Sequence, residues 1–124
     1  MLGHISFGVT DLGRATAFYD ATMAAIGFAR VFTAPRAVGY GIAGTSNDKL
    51  LLVLKPEGTH PPGEGFHLAF DVATREAVDG FYRAALDHGG RDNGPPGLRA
   101  HYGPNYYAAF VVDPDGYRLE AVCQ

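Results

Sequence analysis

The chain of 124 residues has ten Lys and Arg against thirteen Asp and Glu, a formal net charge of −3, with no basic run. It therefore lacks the electrostatic footprint of a nucleic-acid or anionic-membrane binder. Hydrophobic residues at 47% and charged residues at 19% exclude a disordered chain and predict one compact domain whose partner is a small molecule or another protein. No apolar run approaches the ~18 residues needed to span a bilayer. The single cysteine, Cys123, has no partner for an internal disulfide, and Met1 to Val9 has neither the basic segment nor the long apolar stretch of a leader. The expectation is a cytoplasmic protein in a reducing compartment.

The first element reads as a strand, with Ile5, Phe7 and Val9 on one face and His4, Ser6 and Gly8 on the other. Ala15, Phe18, Tyr19, Thr22, Met23 and Ile26 then follow a helical period, with Thr10 or Asp11 placed to cap and Gly27 to stop. Short strands are predicted over 28–34, 37–43 and 49–55. A segment rich in Pro and Gly, residues 56–65, reads as a linker. The pattern then restarts. Leu68, Phe70 and Val72 share a strand face, leaving His67, Ala69 and Asp71 opposite. Val78, Phe81, Tyr82, Ala85, Leu86 and Gly89 make a helical stripe capped by Thr74 and ended at Gly89-Gly90. Strands are predicted over 98–102, 107–112 and 117–123, the last two joined by a turn at Asp113-Pro114-Asp115-Gly116.

Sliding the chain on itself so that His4 falls on His67 also places Phe7 on Phe70, Val9 on Val72, Phe18-Tyr19 on Phe81-Tyr82, Ala21 on Ala84 and Gly27 on Gly90. The chain is thus an internal repeat of two βαβββ modules, 1–55 and 66–124, joined by linker 56–65. The expected fold is α+β, a cupped mixed sheet with helices on its outer face. Half a domain of about 60 residues is marginal alone, so the halves are expected to join within one chain or between two. The open sheet edges predict a homodimer.

His4 and His67 occupy the same repeat position on non-aliphatic strand faces, and a carboxylate beside them would complete a three-ligand metal site. Glu120, on a strand face with Arg118 and Val122, is the candidate. Aligning Lys49 to Leu54 with Tyr117 to Val122 sets Leu52 opposite Glu120, an apolar fourth corner that leaves positions open for water or substrate. The loop from Arg99 to Tyr107 is dense in groups that hydrogen-bond or stack. It offers Tyr107, Tyr106 and His101 as acid or base, and Arg99 and Asn105, with Arg118 and Leu52, as substrate contacts. His60 and His88 are assigned no role.

The repeated modules, the paired strand histidines and Asp113-Pro114-Asp115-Gly116-Tyr117-Arg118-Leu119-Glu120 together resemble the vicinal oxygen chelate superfamily of glyoxalases, bleomycin-resistance proteins and extradiol dioxygenases. The resemblance covers nearly the whole chain. It implies a divalent ion (Fe²⁺, Mn²⁺, Ni²⁺ or Zn²⁺) on His4, His67 and Glu120, which chelates two oxygens of a small-molecule substrate. Glyoxalase I enzymes have a second carboxylate where Leu52 stands. The His, His, Glu set is similar to that of extradiol dioxygenases and fosfomycin-resistance thiol transferases, and the reaction type (lyase, isomerase, dioxygenase or transferase) stays open. The alternative is a metal-free binding protein resembling those of bleomycin resistance.

Overall fold

A computed structural model describes residues 1–124. In chain order the elements are β1 (Ile5–Val9), α1 (Leu12–Ala25), β2 (Ala29–Ala34), β3 (Ala37–Gly41), β4 (Asp48–Leu54), β5 (Leu68–Asp71), α2 (Arg75–Asp87), β6 (Arg91–Asp92), β7 (Gly97–Leu98), β8 (Tyr107–Val112) and β9 (Arg118–Cys123). They form the α+β fold expected, with one mixed sheet from each module. The first runs β1-β4-β3-β2; the second runs β5-β9-β8-β6, with β7 also paired to β8. In each, the opening strand lies parallel to the closing strand of its module, β1 to β4 and β5 to β9, and the remaining pairs are antiparallel.

Local chemistry sets the helix ends. Asp11 caps α1 by accepting from the Arg14 backbone N–H at 3.0 Å, and Thr74 caps α2 through the Ala77 N–H at 3.1 Å. Gly27, at φ +91°, takes the chain out of α1 in a conformation that side chains disfavour. At the matching exit from α2, a Cβ on Gly90 would stand 2.6 Å from Cε2 of Phe18. Glycine there lets the second module close on the first helix.

One hydrophobic core runs through both modules. Phe7, Val9, Phe18, Tyr19 and Met23 of the first meet Phe81, Val111, Tyr117, Leu119 and Ala121 of the second. The Phe7 and Tyr117 rings stack with centroids 4.2 Å apart. A polar clasp sits beside this contact. Asp113, buried in the turn before β9, accepts from Tyr19 Oη at 2.5 Å and from the backbone N–H groups of Asp115 and Tyr117 at 3.0 and 2.7 Å. Asp115 accepts from the Thr10 backbone and hydroxyl and from Arg14, and Tyr117 Oη donates to the Gly8 carbonyl. Burial, against the pull of these donors, raises the Asp113 carboxyl above the usual range, and burial beside Asp113 raises the Tyr19 phenol well above its own.

The second module departs from its predicted strands. The segment expected as a strand over 98–102 pairs only at Gly97–Leu98. The chain then folds back, with Arg99 N–H donating to Tyr106 O at 2.8 Å and Tyr102 N–H to Arg99 O at 2.9 Å. Those local bonds satisfy the backbone groups a longer strand would have paired. Leu86, placed on the buried stripe of α2 by its spacing, is 40% exposed, and the helix buries Val78, Phe81 and Ala85 instead. No helix is long and apolar enough to cross a membrane.

Candidate functional site

Strand register brings the site together. Glu120 on β9 pairs with Ala69 on β5 and with Phe110 on β8, so these residues share one sheet face. Their neighbours Leu119, Ala121, Ala109 and Val111 point the other way, into the core. His67, two residues before Ala69, is carried to the Glu120 face by the same alternation.

There His67 Nε2 lies 2.9 Å from Glu120 Oε2, and Tyr106 Oη donates to Glu120 Oε1 at 2.5 Å. The carboxylate is 1% exposed while the imidazole is 48% exposed. An acid thus forms the floor of the cup, with both oxygens accounted for, and the histidine stands between it and water. Burial first, then the hydrogen bond to Glu120, pushes the Tyr106 phenol up to about 12. Phe110 completes the wall, its ring 5.8 Å from His67 and steeply tilted to it. Sequence reading passed over Phe110, although it alternates with core residues Ala109 and Val111 and so must face the cup.

The third predicted ligand is elsewhere. His4, just before β1, opens on a groove of about 290 Å³ between β1 and β5, lined by Ile5, Phe28, Lys49, Leu68 and Phe70. Within one chain, no three His, Cys, Asp or Glu side chains are grouped to hold a metal. Two of the three expected ligands are joined in one chain and His4 is not.

Leu52 is a correction. It pairs with Phe7 and is fully buried in the core, so it cannot touch a substrate in the cup. Ser6, the repeat counterpart of Ala69, pairs with Leu51. Leu51 is therefore the structural counterpart of Glu120, and a one-residue shift in alignment turned the side chain to the wrong face. Tyr107 is a second correction. Its hydroxyl donates to Asp79 on α2 at 2.7 Å, and Arg75 lies over its ring. The bond to Asp79, then burial, raises its pKa. It supports the helix side of the sheet and cannot exchange protons in the cup.

The other predicted contacts lie around the rim. His101 packs on Tyr102 at 4.1 Å, and Tyr102 on Tyr106 at 5.2 Å. Asn105 is exposed in the same loop. Arg118 is half-buried and pairs with Val112, on the Glu120 side of β9. Arg99 lies over the Phe110 ring, 5.4 Å from its centroid.

The family model for the Glyoxalase/Bleomycin resistance protein/Dioxygenase superfamily matches residues 1–121. Among solved structures, a glyoxalase/bleomycin resistance protein from Albidiferax ferrireducens T118 superposes with a TM-score of 0.85 at 28% identity, over 100% of this chain and 99% of that one. A putative glyoxalase from Bacillus halodurans gives 0.73 at 27% identity, over 100% and 96%. The fosfomycin resistance protein FosX from Listeria monocytogenes gives 0.71 at 19% identity, over 100% and 93%, a likeness of fold alone. No curated protein sequence matches.

Proposed function

The chain belongs to the Glyoxalase/Bleomycin resistance protein/Dioxygenase superfamily, and on that premise we propose that it is a divalent-metal-dependent enzyme acting on a small oxygen-bearing molecule. The ligand set is His67 and Glu120 of one copy with His4 of a second. The observation that carries this reading is the 2.9 Å approach of His67 Nε2 to a Glu120 carboxylate that is 1% exposed. A buried carboxylate and an imidazole nitrogen at one point suit Fe²⁺, Mn²⁺, Ni²⁺ or Zn²⁺. When bound, such an ion supplies Lewis-acid stabilisation of substrate oxygens. Tyr106 holds its proton on a hydroxyl bonded to Glu120, and is the group nearest the ligand pair able to exchange it with a substrate oxygen.

A second copy is invoked because β1 and β5 are both sheet edges, whose unpaired backbone groups favour cover by another chain. His4 opens on the groove between them. The test mixes a His4→Ala chain with a Glu120→Ala chain and measures metal content and sedimentation. A heterodimer then holds one intact site and one doubly broken site, so part of the wild-type metal content returns. No return despite subunit exchange would exclude the shared site, and a wild type that refuses all four metals would exclude metal dependence.

One observation favours a second reading. Both Glu120 oxygens already have partners in His67 and Tyr106, so the cup is also consistent with a metal-free binding protein. Ligand binding by a protein that takes up no metal would select it.

A further inference from the structure

Beside the His67 and Glu120 pair is a hollow of about 240 Å³ lined by Asn93, Gly94, Arg99, His101, Tyr102 and Phe110. It shares a wall with the cup, since Phe110 packs on His67 on one side and under Arg99 on the other. Arg99 is half-buried and held in place. Its Nη1 donates to Gly97 O at 2.9 Å, its Nη2 donates to Pro95 O at 2.7 Å, and its guanidinium lies over Phe110. A guanidinium carries five N–H donors, so these two bonds leave donors unspent.

No carboxylate balances this cation. The ion pairs of the chain join Arg14 to Asp115, Arg30 to Asp20 and His67 to Glu120. Arg118, on the Glu120 face, likewise has no acid partner. Two guanidinium groups without an acid partner, Arg99 and Arg118, therefore border the cup. A fixed, partly desolvated guanidinium fork suits a carboxylate or phosphonate in two-point contact. His101 adds a second donor at the rim, and the Tyr102 ring, 60% exposed, offers a flat apolar surface.

We propose that the substrate of this cup is a small organic anion with a flat unsaturated body. Its acidic group is held by Arg99 with His101, its body lies against Tyr102, and its reacting oxygens reach towards His67 and Glu120. This names the substrate class and rests on the function proposed above.

The test uses benzoate, phenylphosphonate and neutral benzamide as probes on the wild-type protein, with binding read by amide chemical shifts and by tyrosine fluorescence. Saturable binding of at least one anion is expected, with shifts centred on residues 97–110, and benzamide is expected to bind at least tenfold more weakly. Arg99→Gln should reduce anion binding by about tenfold to a hundredfold, the usual range for losing a charge-assisted hydrogen bond. Arg99→Lys, which keeps the charge, should retain the preference for anions over benzamide and guards against simple collapse of the loop. Equal binding of benzoate and benzamide, or no saturable binding of either anion, would overturn the proposal. The same titrations on Glu120→Gln keep the two readings apart. Anion binding that survives in Glu120→Gln sustains the anion site independently of metal, a wild type that binds the anions and takes up no metal removes the metal reading alone, and a wild type that takes up metal without anion selectivity removes the anion site alone.

Discussion

The two modules share a sequence pattern and differ in what they do with it. The first builds its sheet from four strands of five to seven residues, with shifts of register at Arg30/Phe32 and Tyr40/Gly41, and lines its inner face at the matching position with Leu51. The second replaces that leucine with Glu120, has two separate two-residue strands, β6 and β7, both paired to β8 where the first module has β2 alone, and carries Arg99, His101, Tyr102 and Tyr106 in the loop that follows. The repeat builds the frame, and the candidate site lies where the second copy deviates from it. One acid among aliphatic residues is tolerable because His67 and Tyr106 meet both of its oxygens.

Exchanging the deviant residue into the first module gives the largest expected effect. Leu52→Glu buries an unpartnered carboxylate under α1 and should cost more than about 4 kcal/mol, enough to unfold a marginally stable domain. Leu51→Glu, on the cup face, should stay within about 1 kcal/mol. Urea denaturation followed by circular dichroism distinguishes them, and equal losses would refute the assignment of Leu51 as the Glu120 counterpart. Next is the clasp between the modules. Asp113→Ala strips the acceptor from Tyr19 and from two backbone N–H groups and should cost about 3 kcal/mol in the same measurement.

Smaller effects contrast neighbouring tyrosines. Tyr107→Phe loses one hydrogen bond to Asp79 and should cost about 1 kcal/mol while leaving metal and anion binding unchanged. Tyr106→Phe, which deprives Glu120 of a donor, should alter metal affinity measured by competition with a chelating dye. The smallest signal is optical. Tyr106 should ionise only near pH 12, so Tyr106→Phe should remove the absorbance rise of one phenol among seven at that alkaline end. Tyr19, Tyr40, Tyr106, Tyr107 and Tyr117 all have pKa values raised in the fold. The folded state therefore holds their protons more tightly than the unfolded state, whose phenols titrate near ~10. This contribution to stability is complete below that pH and is lost progressively as pH rises from there through the raised folded-state values. Denaturation midpoints constant from pH 9 to 12 would contradict it.

Much of the architecture was legible because it rests on periodicity. The pattern gave both helices, the cap of the second at Thr74, that of the first as Thr10 or Asp11, of which the structure selects Asp11, and the strand faces of His67 and Glu120. What escaped depended on register across an insertion. Between Leu52 and Leu51 the alignment has no internal marker, since a run of three leucines matches equally well either way, and only the parallel pairing of β1 with β4 decides it. Tyr106 and Tyr107 posed the same difficulty, because adjacent residues at a strand's edge go to opposite faces. The loop carrying Arg99 read partly as a strand because its aromatic content is that of one. Its local backbone bonds depend on a fold-back that composition does not encode.

The clasp at Asp113 and Asp115 also has a consequence for the order of assembly. Thr10 and Asp115 are 105 positions apart, and Tyr19 and Asp113 are separated by 94. During synthesis the first helix leaves the ribosome long before its polar partners exist, and Phe7 has no Tyr117 to stack on. The first module therefore has to wait, with one face of its helix wet, until the final hairpin arrives. The core and its polar clasp are therefore complete only after that late, long-range closure, which sequence separations of this size make slow.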